Sequence, residues 1–129
     1  MFTFKGSFSS FSVPDIAEAK RFYKETLGLN VKESPEGLEL HFDDGHTVFL
    51  YPAPHPAALY TVLNFIVDDI DKAVDDLVAH GVTMEQYDMS EIKTDKRGIC
   101  RNDNGEMGPK AIGWFKDPFG HIIAVMQEK

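Results

Sequence analysis

The sequence predicts an α+β domain made of two βαβββ modules, and three observations carry that prediction. A segment near the start recurs near the middle: Ser12-Val-Pro-Asp-Ile-Ala-Glu-Ala-Lys followed by Gly28-Leu29 matches Ile66-Val-Asp-Asp-Ile-Asp-Lys-Ala-Val followed by Gly81-Val82, with one residue lost before the second glycine. Each copy reads as strand then helix, and each is followed by a hairpin pattern. Strands therefore outnumber helices, and the helices must bury their apolar faces on sheets. At 129 residues the chain is read as a single domain, 1–129, with module one at about 1–55 and module two at about 60–129.

Taken in order, Phe8 to Val13 has the period-2 pattern of a strand. Asp15 and Glu18 have capping-box spacing just after Pro14, and Ile16, Ala19, Phe22, Tyr23 and Thr26-Leu27 fall on one helical face. Gly28 sits where a left-handed helix end is wanted. Leu38 to Asp43 alternates, Asp44-Gly45 reads as a two-residue turn, and His46 to Tyr51 reads as the partner strand. That register sets Asp43 opposite His46 and His41 opposite Val48. Pro52, Pro54 and Pro56 mark an extended linker.

In the second module Ile70, Ala73, Val74, Leu77 and Val78 make a clean apolar helix face closed by His80-Gly81. Asp68, Asp69 and Asp71 suit the positive end of that helix better than a metal. Residues 88–109, with Gly98, Gly105, Gly108 and Pro109, are the least regular stretch and read as a long loop or an added short strand. Ala111 to Lys116 and His121 to Gln127 flank the turn Asp117-Pro-Phe-Gly120. The sheet faces opposite the helices are expected to enclose a cavity.

Composition narrows the function classes. Thirteen Lys+Arg against 21 Asp+Glu give a net charge of −8, which argues against general binding to nucleic acid or to anionic membrane surfaces. The one dense basic stretch, Lys93, Lys96, Arg97 and Arg101, is interrupted by Glu91, Asp95 and Asp103. A single cysteine, Cys100, leaves no intramolecular disulfide or cysteine-rich zinc site. The first residues lack a signal-peptide core, and no apolar run nears the ~20 residues of a membrane span. The expectation is a cytoplasmic protein.

Three segments give the sequence a family likeness. Asp15-Ile-Ala-Glu-Ala-Lys-Arg-Phe-Tyr-Lys-Glu-Thr-Leu-Gly-Leu, the later Val67-Asp-Asp-Ile-Asp-Lys-Ala-Val, and Trp114-Phe-Lys-Asp-Pro-Phe-Gly-His-Ile-Ile resemble the vicinal oxygen chelate superfamily. Its members include glyoxalase I, extradiol dioxygenases, fosfomycin-modifying enzymes and bleomycin-resistance proteins. The resemblance implies paired βαβββ modules around a concave cavity, a homodimer, and, in the enzymes, a divalent metal on four His, Glu or Gln positions. In this chain those positions fall at Phe8, Leu50, Val62 and Ala124. None offers a lone pair to a divalent cation. A one-residue slip brings in Ser7 or Ser9, Phe49 or Tyr51, Thr61 or Leu63, and Ile123 or Val125, again without His, Asp, Glu or Gln.

The remaining polar residues divide by strand face and local context. By strand alternation Ser10 and Ser12 join Phe8, while Asn64 and Ile66 join Val62, mixing hydrogen-bonding groups with apolar walls as small-molecule pockets do. Ser10 and Asn64 equally suit partners in each other or in buried water. His41 is expected on the cavity side with Val48 and Leu50, hydrogen-bonded or touching ligand, with His46 nearer the hairpin tip. His80 suits a helix C-terminus, His55 lies among prolines, and His121 alternates away from Ala124. Trp114 and Tyr51 suit either stacking on a planar ligand or packing. Arg101 suits an acidic ligand or plain exposure, and Cys100 has no recognisable partnered base.

The expected function is a metal-free, cofactor-free small-molecule-binding protein of the bleomycin-resistance type, sequestering a xenobiotic or metabolite. Its cavity residues would be Phe8, Ser10, His41, Leu50, Val62, Asn64, Arg101, Trp114 and Ala124. One alternative is a lyase, isomerase or dioxygenase-like enzyme with a relocated metal or a His41 acid–base site. The other is a non-catalytic structural or regulatory dimer with its pocket packed shut.

Overall fold

Each helix begins on an aspartate and ends on a glycine, as the repeat requires. In the computed structural model, which describes residues 1–102 and 108–128, Asp15 caps α1 (Ile16–Lys20) by accepting a hydrogen bond from the Glu18 N–H at 3.0 Å. Asp69 caps α2 (Ile70–Ala79) by accepting from the N–H groups of Asp71 and Lys72. These side chains satisfy donors that lack partners within the helix. α2 closes with the Val82 N–H bonded to the Leu77 carbonyl and the Gly81 N–H to the Val78 carbonyl.

The first helix has one more residue between its aspartate and its glycine, and the structure shows where that residue goes. The regular face expected from Ile16 to Leu27 is not continuous: after Lys20 the helix widens into a π-helical stretch, Arg21–Thr26. The Leu27 N–H reaches back to the Phe22 carbonyl at 2.9 Å, and the Leu29 N–H to the Tyr23 carbonyl at 3.0 Å. The wider turn absorbs the extra residue. Ala19 and Tyr23 remain buried, and Gly28 still ends the helix.

The chain forms two compact units, Met1–Pro56 and Ala57–Lys129. In the first, β1 (Ser9–Val13), β2 (Asn30–Ser34), β3 (Gly37–His41) and β4 (Thr47–Pro52) form a sheet in the order β1-β4-β3-β2. β1 runs parallel to β4, and the other pairs are antiparallel. α1 packs on β3 and β4. Val13, Ala19, Tyr23, Leu38, Leu40, Val48 and Leu50 form the buried core, with Phe11 edge-on to Tyr23 at 6.3 Å.

The second unit repeats the path. β5 (Thr61–Ile66), β6 (Ile99–Arg101), β7 (Ala111–Lys116) and β8 (Ile122–Gln127) take the order β5-β8-β7-β6, with β5 parallel to β8. α2 packs on β7 and β8 over Leu63, Ile70, Val74, Ile99, Phe115, Ile123 and Val125. The architecture is therefore βαβββ twice, an α+β fold of two mixed sheets. β6 is a short strand inside the irregular 88–109 stretch. Residues 103–107 of that stretch, Asp103 and Gly105 among them, lie outside the described residues.

One expectation about register is corrected. The Asp44-Gly45 hairpin has a three-residue loop, Asp43-Asp44-Gly45. The Phe42 N–H bonds the His46 carbonyl, and the Gly45 N–H bonds the Phe42 carbonyl. A two-residue turn of the favoured hairpin type would need positive φ at Asp44 as well as Gly45. Only Gly45 adopts it, at 89°, and no described non-glycine residue does. His41 consequently pairs with Thr47, not Val48, and Leu38 pairs with Leu50.

Candidate functional site

A one-residue change of register exchanges the two faces of a strand. His41 therefore does not share a face with Val48 and Leu50. Those two belong to the buried face under α1, and Leu50 leaves the set of cavity positions. The residues of β4 on the face away from the helix are Thr47, Phe49 and Tyr51, and Phe49 and Tyr51 lie one residue either side of Leu50.

On that face the first unit has an open recess of about 510 Å³. Ser7, Phe8, Ser34, Glu36, Glu39, His41, Thr47 and Phe49 line it. Alternation places them: Glu39 and His41 are two apart on β3, and each pairs across to β4, with Phe49 and Thr47 respectively. Phe8, just before β1, is 67% exposed, a high value for a phenylalanine in a sheet-bearing segment. Ser10 pairs with Phe49 and lies in the same row. His41 Nε2 stands 3.1 Å from Glu39 Oε1, and both side chains remain partly open to solvent. The pair gives the recess an imidazole oriented by a carboxylate, beside two aromatic walls.

In the second unit, Asn64, Ala124 and Trp114 pair across β5, β8 and β7 and so form one row on the face away from α2. Ala124 is buried between its larger neighbours. Trp114 meets Tyr87 edge-on at 5.5 Å. Val62 sits at a bulge, where the pairing with β8 shifts between Thr61 and Leu63. Arg101 lies on β6, where its guanidinium donates to Asp71 Oδ1 at 2.7 Å. Arg97 joins the same cluster, donating to Asp71 Oδ1 at 2.6 Å and also contacting Asp75. The cluster ties β6 and the loop before it to the first turns of α2. Hydrogen bonding from Arg101, together with the charges of Arg101 and Arg97, holds the Asp71 carboxyl below its ordinary value.

The other histidines have local roles. His46 stacks on Phe42 in the hairpin loop, while His55 Nδ1 lies 3.3 Å from Ser12 Oγ. The His80 ring contacts the Asp76 carbonyl at the end of α2. His121 is buried beside Asp117, whose carboxylate accepts from the N–H groups of Phe119 and His121.

Sequence reasoning missed Ser7, Ser34, Glu36, Glu39, Thr47 and Phe49 as recess residues. Glu39 carried a usable signal, since a strand residue two positions before His41 must share its face.

Two βαβββ units, each presenting a sheet face away from its helix, define a class of small two-module α+β proteins. The chain belongs to the Glyoxalase/Bleomycin resistance protein/Dioxygenase superfamily, whose sequence profile matches residues 8–125. The fold is similar to that of the fosfomycin resistance protein FosX from Listeria monocytogenes, at 13% identity, TM-score 0.69, covering 99% of this chain and 96% of that one. It is also similar to TnmS3, an antibiotic binding protein from Streptomyces sp. CB03234, at 22% identity and TM-score 0.64, covering 99% and 100%. A glyoxalase/bleomycin resistance protein/dioxygenase from Alicyclobacillus acidocaldarius has 14% identity and TM-score 0.69, covering 96% and 91%. A search of the curated proteins finds no match.

The divalent metal that the superfamily's enzymes carry does not fit this donor set. Phe8, Val62 and Ala124 are hydrocarbon, and β4 offers Phe49 or Tyr51 on the relevant face. Among the described residues no group of three or more His, Cys, Asp or Glu side chains is placed to hold a metal ion.

Proposed function

We propose that this protein binds a small organic molecule on the helix-distal face of its first sheet and holds it without bond chemistry. The observation that carries the reading is the recess itself: Phe8 and Phe49 make apolar walls, and Glu39, His41 and the hydroxyls of Ser7, Ser34 and Thr47 supply a few polar groups. That mixture is what small-molecule sites use, with apolar area for affinity and sparse polar groups for orientation. Hydrocarbon side chains at the positions where the superfamily's enzymes place metal ligands support binding over metal-assisted catalysis. The name of TnmS3 as an antibiotic binding protein supports the same reading. Ser10 extends the polar rim, and Asn64, Trp114 and Ala124 form a second surface on which a planar ligand would stack. A homodimer in the cytoplasm belongs to the same reading, and light scattering on the purified protein tests its first part.

A thermal-shift screen of flat, apolar ring compounds tests the proposal. A ligand at one hundred times its dissociation constant should stabilise the fold by ~2.7 kcal/mol, and Phe49→Ala should reduce that shift. Near-stoichiometric divalent metal in protein purified without chelators would overturn the metal-free reading.

The 3.1 Å contact between His41 and Glu39 favours a second reading. A carboxylate that fixes an imidazole also prepares it as a general base. If the protein is an enzyme, His41→Ala abolishes turnover with the fold intact. If it is a binder, the same change only moves affinity.

A further inference from the structure

Resting on that binding reading, we propose that the recess selects a cation: an organic molecule with a flat, apolar body and a protonated or quaternary nitrogen. Among the described residues, the charged side chains lining the recess are Glu36 and Glu39, with neither Lys nor Arg in the lining. Lys20, on α1, is paired with Glu33. Lys32 is the cross-strand partner of Glu39 and stands outside the lining. Glu39 Oε1 lies 3.1 Å from His41 Nε2, so the carboxylate is positioned at the recess.

The aromatic walls have the same sign preference as the carboxylates. The faces of Phe8 and Phe49 present the negative side of the ring quadrupole and attract cations that come over them. The chain's net charge of −8 adds a background field of that sign. A carboxylate or phosphate ligand would instead meet two carboxylates beside two phenyl rings, with no cation among the described lining residues to offset them.

A matched set of fluorescent three-ring probes tests the charge preference at about pH 7.5: 9-aminoacridine as the cation, acridine as the neutral body, and acridine-9-carboxylate as the anion. The expected result is a dissociation constant for 9-aminoacridine about tenfold or more below that of acridine, with the carboxylate weakest. The preference should narrow in about 0.5 M salt, where charge interactions are screened within a few ångströms. In the Glu36→Gln/Glu39→Gln protein the cation preference should disappear while acridine still binds. If that double variant loses its fold, Glu36→Gln alone, at an exposed position, should reduce the preference severalfold. Equal or reversed affinities with binding retained would overturn the charge assignment and leave the binding reading standing. A preference untouched by the Glu→Gln changes would overturn its location in this recess. Failure of all three probes to bind or to raise the melting temperature would overturn the binding reading with it.

Discussion

The two units follow one path, β1 with α1, β2, β3 and β4 in the first and β5 with α2, β6, β7 and β8 in the second, yet they differ at the helix and at the face turned away from it. α2 is a regular helix that ends in paired backbone bonds around Gly81. The first helix carries one residue more and takes it up as a π-helical turn between Lys20 and Leu27. On the far face, the first sheet presents Phe8, Glu39, His41 and Phe49 around a recess. The second presents Asn64, Ala124 and Trp114 in a row, with Trp114 against Tyr87. Both helices keep buried side chains against their sheets, Ala19 and Tyr23 in one unit and Ile70 and Val74 in the other. An inserted residue is tolerated where the helix can widen without rotating those side chains out of the core. On the opposite face the two modules carry different residues.

The largest expected effect comes from deleting one exposed helical residue in each unit. Removing Asp76 from α2 rotates everything after it by one helical position, pulling Leu77 and the buried Val82 out of phase with Val74. That should cost several kcal/mol, on the scale of ~2–5 for lost core side chains. Removing Glu25 from the π-helical stretch should only restore regular α-helical geometry and cost about 1 kcal/mol or less. Urea denaturation of both proteins measures the difference. Equal losses would show that the π turn is not where the extra residue is accommodated.

A second contrast concerns the two hairpins, which share one backbone plan. Asp117 and His121 close the loop Pro118-Phe119-Gly120 with the same pair of bonds that Phe42 and His46 make around Asp43-Asp44-Gly45. Gly45 and Gly120 both take positive φ, at 89° and 96°, where a side chain would be strained. The difference lies in the aspartate that caps each loop: Asp117 closes its loop, whereas Asp44 sits in the middle of the other. Asp117 is buried and its carboxylate accepts two backbone N–H groups, whereas Asp44 accepts one, from His46, at an exposed site. Asp117→Ala should therefore cost about 1–3 kcal/mol, since it leaves one buried and one part-buried donor without their acceptor, and Asp44→Ala about 0.5–1. Chemical denaturation decides it, and a reversed order would refute the burial argument.

These hairpins also show how much was legible in the sequence. The aspartate caps, the glycine helix ends and the strands 111–116 and 122–127 follow from side-chain chemistry and alternation, which act over a few residues. The register of the first hairpin does not, because Asp-Gly serves both a two-residue turn and a three-residue loop with a left-handed glycine. That single ambiguity sets His41 on the face of Val48 and Leu50 and hides Thr47 and Phe49 from the site. β6, only three residues long, is too short to show a period. The π turn left a trace, the extra residue before Gly28, but its length alone does not say whether a helix widens or a loop lengthens. Arg101 reads as a loop cation because its partner Asp71 lies thirty positions away on another element.

The smallest effect expected separates the two units by how each helix is tied to its sheet. Lys20 on α1 pairs with Glu33 on β2, and Arg97 and Arg101 converge on Asp71 of α2. Hydrogen bonding and charge from Lys20 lower the Glu33 carboxyl from its ordinary value, with a smaller contribution from Lys24. Arg101 first, then Arg97, does the same for Asp71. A carboxyl whose folded pKa is depressed stabilises the fold above its unfolded pKa and loses that contribution as pH falls through the folded value. Both ties should therefore hold above about pH 4–5 and release in more acidic solution. Carboxyl-carbon NMR titration should place both midpoints below the ordinary carboxylate range. Lys20→Gln should return Glu33 nearly to its ordinary value, because one ammonium supplies most of the effect. Arg97→Gln should move Asp71 only part of the way, because Arg101 remains on the same oxygen. A full return of Asp71 in the Arg97 variant would mean that Arg101 does not hold it, and β6 would then be tied to α2 through Arg97 alone.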